Sequence, residues 1–288
     1  MRSIFRNELS SYFTGPIGHV FGAFLLLFAG IYTMILNINA QLTNFEYVFG
    51  NMSFIYLIVI PILTMRVLAE ERRQKTDQLL YSLPLSMTQV VLGKFAAMAV
   101  TLLIPVGLIC VYPIILSAFG NVHMPSAFTA AAGFFLLGAA LLSVGMLISA
   151  LTESQAVAAG VCFVVMLLNY YLNALIGFLP ASSIASVAVF SCVVILMAVL
   201  IRQMTGSGFI GLMSGLILET ILLLAFIIKP EMFIGLAARV VGKLSLFERF
   251  YVFVNGIFDV SGVVYFLSVI AFFLFLSVQA LEKRRWSE

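Results

Sequence analysis

The feature that most limits how this chain can fold is its succession of long apolar runs. Eight can be read, at about 17–36, 53–69, 90–119, 127–151, 155–177, 184–201, 207–228 and 262–281. A helix of about 20 residues rises about 30 Å, the thickness of a bilayer's hydrocarbon core. Inside that core every backbone N–H and C=O must be paired within the protein, which leaves helices and closed barrels. A barrel would show short alternating segments, not long apolar blocks. Composition points the same way: 63% of the 288 residues are hydrophobic and 9% are charged, against about 25% charged in soluble domains. The expected fold class is all-α, a polytopic bundle of transmembrane helices.

Topology follows from the basic residues. With the N-terminus in the cytoplasm, eleven of the 15 Lys and Arg residues, from Arg2 to Arg285, fall inside, while Lys229, Arg239, Lys243 and Arg249 fall outside. This bias places both termini in the cytoplasm of a multi-pass cytoplasmic-membrane protein, and eight crossings agree in parity. The basic residues flank spans and form no continuous face, so a nucleic-acid partner is not expected. The polar start, 1–11, followed by a run long enough to span, is not the pattern of a cleavable signal peptide.

No motif for chemistry is present. There is no G-x-x-x-x-G-K-[ST], since Gly93-Lys94-Phe95 lacks the preceding glycine and the following hydroxyl residue. There is no H-E-x-x-H and no G-x-S-x-G. Cys110, Cys162 and Cys192 lie in apolar runs without metal-ligand spacing and read as small core hydrophobes. His19 and His123, each near a predicted membrane boundary, read as polar anchors. The chain is expected to be no enzyme, with no catalytic residue, metal or cofactor of its own.

Local patterns give more. In 2–14, Phe5, Leu9, Tyr12 and Phe13 share one helical face while Arg2 and Arg6 can reach headgroups. This predicts an interfacial helix within 1–16, ended by Gly15 and Pro16. The stretch 69–94 reads AEERRQKTDQLLYSLPLSMTQVVLGK. Its charged start, its edge of Leu79, Leu80 and Leu83, and the break at Pro84 predict a charged helix. Ser86 and Gln89 then form a capping box for the next helix. A solvated loop with routine charges fits the same residues. Pro105 and Pro113 predict a kink in the third run. Gly138, Ala139, Ala140 and Gly145 predict close helix packing in the fourth.

Three of the polar residues inside apolar runs are candidates for a role in transport. Glu219 lies mid-run, where a carboxylate is costly and usually faces a protein interior or wet cavity. It reads either as part of a translocation path or as a cross-helix hydrogen-bond partner. Asn169 and Asn173, spaced i, i+4 on the fifth run, carry the same two readings. Beyond the seventh run, an extracytoplasmic segment at 229–261 places Phe233, Leu236, Ala237, Val240, Val241 and Leu244 on one helical face. Arg239 and Lys243 lie on another, predicting a helix in the outer interface.

Four stretches, two of them a C-terminal pair, together resemble type-2 ABC exporter permeases, especially the gliding-motility-associated branch. They are MRSIFRNELSSYFTGPIGHVF, MRVLAEERRQKTDQLLYSLPLSMTQVVLGKF, and a C-terminal region comprising LSLFERF…NGIFDVSGVVYFLSVIAFFLFL with LEKRRW. The resemblance implies that 1–288 is a single permease domain, with 1–16 as a connecting helix and 70–88 as a coupling segment. It implies two partners: separate ABC ATPase subunits, which bind ATP and Mg, and a second permease subunit, identical or different. On that pattern Glu70, Glu71, Arg72, Arg73, Thr76, Asp77, Leu79, Leu80 and Pro84 would contact the ATPase. The sequence departs from many relatives at Lys75-Thr76, where they have Gly-Thr, and in its eight runs against a family core of six spans. The extra pair, 184–201 and 207–228, either spans or dips back. The expected function is the membrane subunit of an ABC exporter with unnamed cargo. The alternatives are a non-transport ABC complex acting on an extracytoplasmic partner, or an ATP-independent carrier.

Overall fold

A computed structural model describes residues 2–73, 86–178, 182–205 and 208–285. Among these residues the secondary structure is helical and no strand occurs. Two compact units can be separated: Met1–Tyr170 with Leu246–Glu288, and Tyr171–Ser245.

The first unit opens with α1 (Arg2–Thr14), whose Tyr12 is buried while Phe5, Leu9 and Phe13 pack on the core. The chain turns at extended Gly15, and Pro16 opens α2 (Pro16–Thr33) where its missing N–H has no partner to lose. α2 buries a stripe of Phe21, Leu25, Ala29 and Thr33, then continues as a π-helical turn, Met34–Asn39. The second span comprises α3 (Glu46–Met52), a 3-10 turn and α4 (Tyr56–Thr64), followed by the short helix α5 (Ala69–Arg73). It begins at Glu46, not at 53. Asn44 Nδ2 donates to Glu46 Oε1 at 2.7 Å, and a carboxylate in a first turn is favoured by the helix dipole.

Ser86 caps α6 (Met87–Ile109), its Oγ accepting from Gln89 N at 3.3 Å, which is one half of the expected capping box. α6 gives way at Cys110 to α7 (Val111–Leu116). Pro113 has no N–H for the Ile109 carbonyl and its ring crowds that oxygen, so the ladder breaks there. α8 (Met124–Leu151) and α9 (Gln155–Tyr170) follow.

The fifth run is not one helix. Tyr171 leaves helical geometry and α10 (Leu172–Gly177) starts anew. Asn169 and Asn173 therefore lie on two different helices. The break follows Tyr170, whose ring is held edge-on by Phe54 and Phe247 at 5.5 and 4.9 Å. α11 (Ser183–Thr205) and α12 (Gly208–Ile228) then pack side by side. The expected outer helix is also divided. Phe233 sits in a 3-10 turn, Gly235 adopts φ 65°, and α13 (Leu236–Lys243) starts after it. A left-handed residue ends helical register, and glycine does this without a Cβ clash.

The chain returns to the first unit with α14 (Leu246–Val254), which the sequence reading did not separate out, and α15 (Val260–Arg285). Five stretches are long and apolar enough to cross a membrane among the described residues. They are Pro16–Asn39, Glu46–Arg73, Met87–Leu116, Met124–Leu151 and Val260–Lys283. The remaining apolar helices are shorter: Gln155–Tyr170, Ser183–Ile195 and Leu212–Ile228.

α8 is the axis of the first unit, packed by α3, α4, α6, α9, α14 and α15. Its small residues explain this. A Cβ on Gly138 would stand 2.6 Å from Leu102 Cδ2, and one on Gly145 would stand 2.5 Å from Thr64 Oγ1. Tyr56 closes the same contact by donating to the Phe134 carbonyl at 3.0 Å while stacking on its ring.

Candidate functional site

Two turns into α6, among apolar neighbours, stands Lys94, its side chain 2% exposed. A buried ammonium is costly unless it is paired and hydrogen-bonded. Two carboxylates meet it. Glu71 Oε1 of α5 lies 2.7 Å from Nζ, and Glu8 Oε1 of α1 makes the second contact. Three elements distant in sequence are thus joined through one cation. Tyr12 lies beside them. Burial, and then the Glu8 and Glu71 carboxylates, push its phenol well above its ordinary range, so it remains a proton donor. Arg66 and Glu70, one turn apart at 3.8 Å and partly exposed, add a weak pair.

α5 is also held from its other side. The backbone N–H groups of Leu68 and Ala69 both donate to Ser149 Oγ of α8 at 3.1 Å, and Ser149 is fully buried. These are donors of a helix start, which need a partner beyond the helix. Arg72 Nη1 donates to the Thr152 carbonyl at the end of α8, at 3.4 Å. The five-residue helix is therefore a junction, tied to α1 and α6 by Glu71 and to α8 by Ser149 and Thr152. Its groups form an ion-pair and hydrogen-bond network that fastens it to its neighbours.

Of the residues expected to contact an ATPase, Glu70, Glu71, Arg72 and Arg73 lie on this junction. Glu71 and Arg72 are engaged within the chain, and Arg73 is exposed. Thr76, Asp77, Leu79, Leu80 and Pro84 lie outside the described residues. Sequence reasoning missed Glu8 and Lys94. The signal was present: Lys94 is a charge inside an apolar run, and such a charge demands partners.

The other singled-out residues are not gathered into one site. Asn169 Oδ1 accepts from Leu246 N at 3.1 Å, at the start of α14. In the second unit, Asn173 lies near Gly242 of α13. Glu219 Oε1 accepts from Ser191 Oγ at 2.6 Å, joining α11 and α12, while its buried Oε2 has no partner among the described residues. It lines an open, mainly apolar groove of about 400 Å³ with Val194, Ala198, Arg202, Leu212 and Leu216. Arg239 and Lys243 are exposed on α13, with Arg239 Nη2 donating to the Ile234 carbonyl at 3.1 Å.

Comparison with curated proteins returned no match. A family model described as "ABC-2 family transporter protein" matches residues 29–229. It spans the second to seventh apolar runs and leaves α1 and the C-terminal helices outside. Membership carries association with ABC ATPases and dimerisation in general. With its helical bundle and apolar spans, the chain belongs to the ABC-2 transporter family and is a multi-pass membrane subunit of an ABC transporter.

Proposed function

We propose that this subunit is an exporter permease of the gliding-motility-associated branch, moving its cargo across the cytoplasmic membrane with both termini in the cytoplasm. ATP is hydrolysed, with Mg, on separate ATPase subunits, and the permease works with a second permease subunit. The segment after α5 docks on the ATPase, and α5 passes its displacement into the bundle. The observation that supports this reading is the buried Lys94 contact with Glu71 and Glu8. A docked segment can shift the bundle only through contacts that resist separation, and a buried ion pair with two carboxylates resists it far more than a solvated one.

The experiment is Glu71→Gln in the permease assembled with its ATPase. The amide keeps its size and a hydrogen bond to Lys94, and Glu8 still balances the charge, so the complex should assemble. Permease-dependent stimulation of ATP hydrolysis should fall by about 5- to 150-fold, the range of ordinary coupling energies. Stimulation equal to wild type in the assembled variant would reject the junction as the route of coupling.

A further inference from the structure

Buried side-chain oxygens that lack a hydrogen-bond partner are few among the described residues, and three of them belong to the hairpin of the first two spans. They are Thr33 Oγ1, Asn37 Oδ1 and Glu46 Oε2. Thr33 ends the buried stripe of α2, and Asn37 follows it one turn later, in the π-helical turn. Glu46 opens α3, which packs back on α2. The register of the hairpin can be read at its other end. There Ile17, Val20 and Phe24 of α2 face Ile58, Ile62 and Leu63 of α4 across one groove. Two antiparallel helices followed from that groove toward their connecting loop, at equal rise, bring Glu46 level with the stretch from Thr33 to Asn37. The loop is drawn into the same corner. Leu42 N donates to the Leu36 carbonyl at 3.0 Å, and Asn37 Nδ2 donates to the Leu42 carbonyl at 2.7 Å. Asn44 then holds Glu46 by its Oε1 at 2.7 Å.

Glu46 is 5% exposed and accepts that one hydrogen bond. A buried carboxylate is costly unless a charge or a metal offsets it. The elements packed most closely on α3 are α2, α8 and α14. Of these, α2 and α8 carry no Lys or Arg. The one basic residue of α14, Arg249, places its guanidinium over the Tyr265 ring at 5.5 Å. The start of the second span supplies about half a positive charge, and the carbonyl end of the first span beside it supplies the opposite sign. The carboxylate therefore calls for one positive charge that its neighbours do not provide. A water molecule would serve the hydrogen bonds of the three oxygens but not the charge. The three atoms belong to a carboxylate, an amide and a hydroxyl, which are hard ligands suited to cations that prefer oxygen. The set holds a single negative charge. A monovalent ion balances it, whereas a divalent ion leaves a positive excess in a buried place.

We propose that the loop end of the first two spans binds one Na+ ion. Glu46 Oε2, Asn37 Oδ1 and Thr33 Oγ1 are its protein ligands, and water completes its shell. The ion ties α2 to α3 at the end of the hairpin opposite the Lys94 junction, so that charge pins the hairpin at both ends. The site does not depend on the coupling role of Glu71 or on the direction of transport.

The test uses the full-length permease in detergent, freed of sodium in choline chloride. Radioactive sodium binding is measured directly, and the melting temperature is followed as NaCl replaces choline chloride at constant ionic strength. Wild type should bind one Na+ per chain, and its melting temperature should rise with NaCl, since a ligand of the folded state stabilises it. Glu46→Gln removes the charged ligand and should weaken Na+ binding by at least about tenfold, the loss that even outer-shell changes cause at metal sites. Asn37→Asp adds a second carboxylate and should let Ca2+ displace Na+, which Ca2+ should not do in wild type at the same concentration. That change is a gain, so it decides the matter if Glu46→Gln does not fold. Wild type that neither binds Na+ nor responds to it would overturn the proposal and leave water or a proton at Glu46. Displacement of Na+ by Ca2+ in wild type would overturn it too, as would wild-type Na+ binding in folded Glu46→Gln or unchanged selectivity in folded Asn37→Asp.

Discussion

Lys94 lies in an apolar helix with 2% of its side chain exposed, and its ammonium is balanced by carboxylates from α1 and α5. Removing the lysine alone is more damaging than removing the whole set, because it leaves the Glu8 and Glu71 carboxylates close together without the ammonium between them. Lys94→Met should therefore destabilise the protein by about 3–5 kcal/mol, read as a lowered melting temperature in detergent. The triple variant Lys94→Met, Glu8→Gln, Glu71→Gln leaves no net charge in the site and should recover most of that loss. It should still fail to couple, since amides and a thioether hold α5 less firmly than the ion pairs do. A triple variant as unstable as Lys94→Met would show that the site matters for packing and not for charge. The sequence exposes Lys94 as an anomaly, a charge within an apolar run. It does not reveal the partners, which lie 86 and 23 residues away in the chain.

At the level of elements, α8 illustrates how composition becomes architecture. Glycine leaves space that a neighbour occupies, and Gly145 receives Thr64, whose hydroxyl is itself bonded to the Ile60 carbonyl at 3.0 Å. Thr64 cannot withdraw without losing that bond. Gly145→Ala should therefore lower stability by about 1–3 kcal/mol. Gly160→Ala on α9 meets nothing within 4 Å and should be neutral or gain up to about 1 kcal/mol from helix propensity. Parallel melting curves of the two variants check this, and equal effects would contradict the packing argument. The small residues of α8 were legible because close packing has a compositional signature. The division of the outer helix was less so. Phe233 and Ala237 are buried as the spacing predicts, but periodicity carries no information on the φ of Gly235, which divides the helix. The break after Tyr170 has no periodic signature either, and Tyr170 packs against Phe54 and Phe247, residues remote in the sequence.

For the whole molecule, the number of crossings is the main expectation still to be measured. Eight crossings with both termini inside predict that Ser183→Cys is labelled by an impermeant maleimide only from outside the cell. Gly208→Cys should then be labelled only after the inner face is opened. The background must have Cys110, Cys162 and Cys192 replaced. Labelling of both positions from outside would turn α11 and α12 into a re-entrant pair. What the sequence by itself determined is the helical class, the lipid setting, the elbow at Gly15 and Pro16 and the cap at Ser86. Each depends on composition or on neighbours within about four residues, where periodicity and steric rules act directly. Only the tertiary structure decided that α1, α5 and α6 meet at one buried lysine. Those contacts depend on how helices cross, and crossing is set by the fit of whole faces against one another, a property that no local stretch of sequence contains.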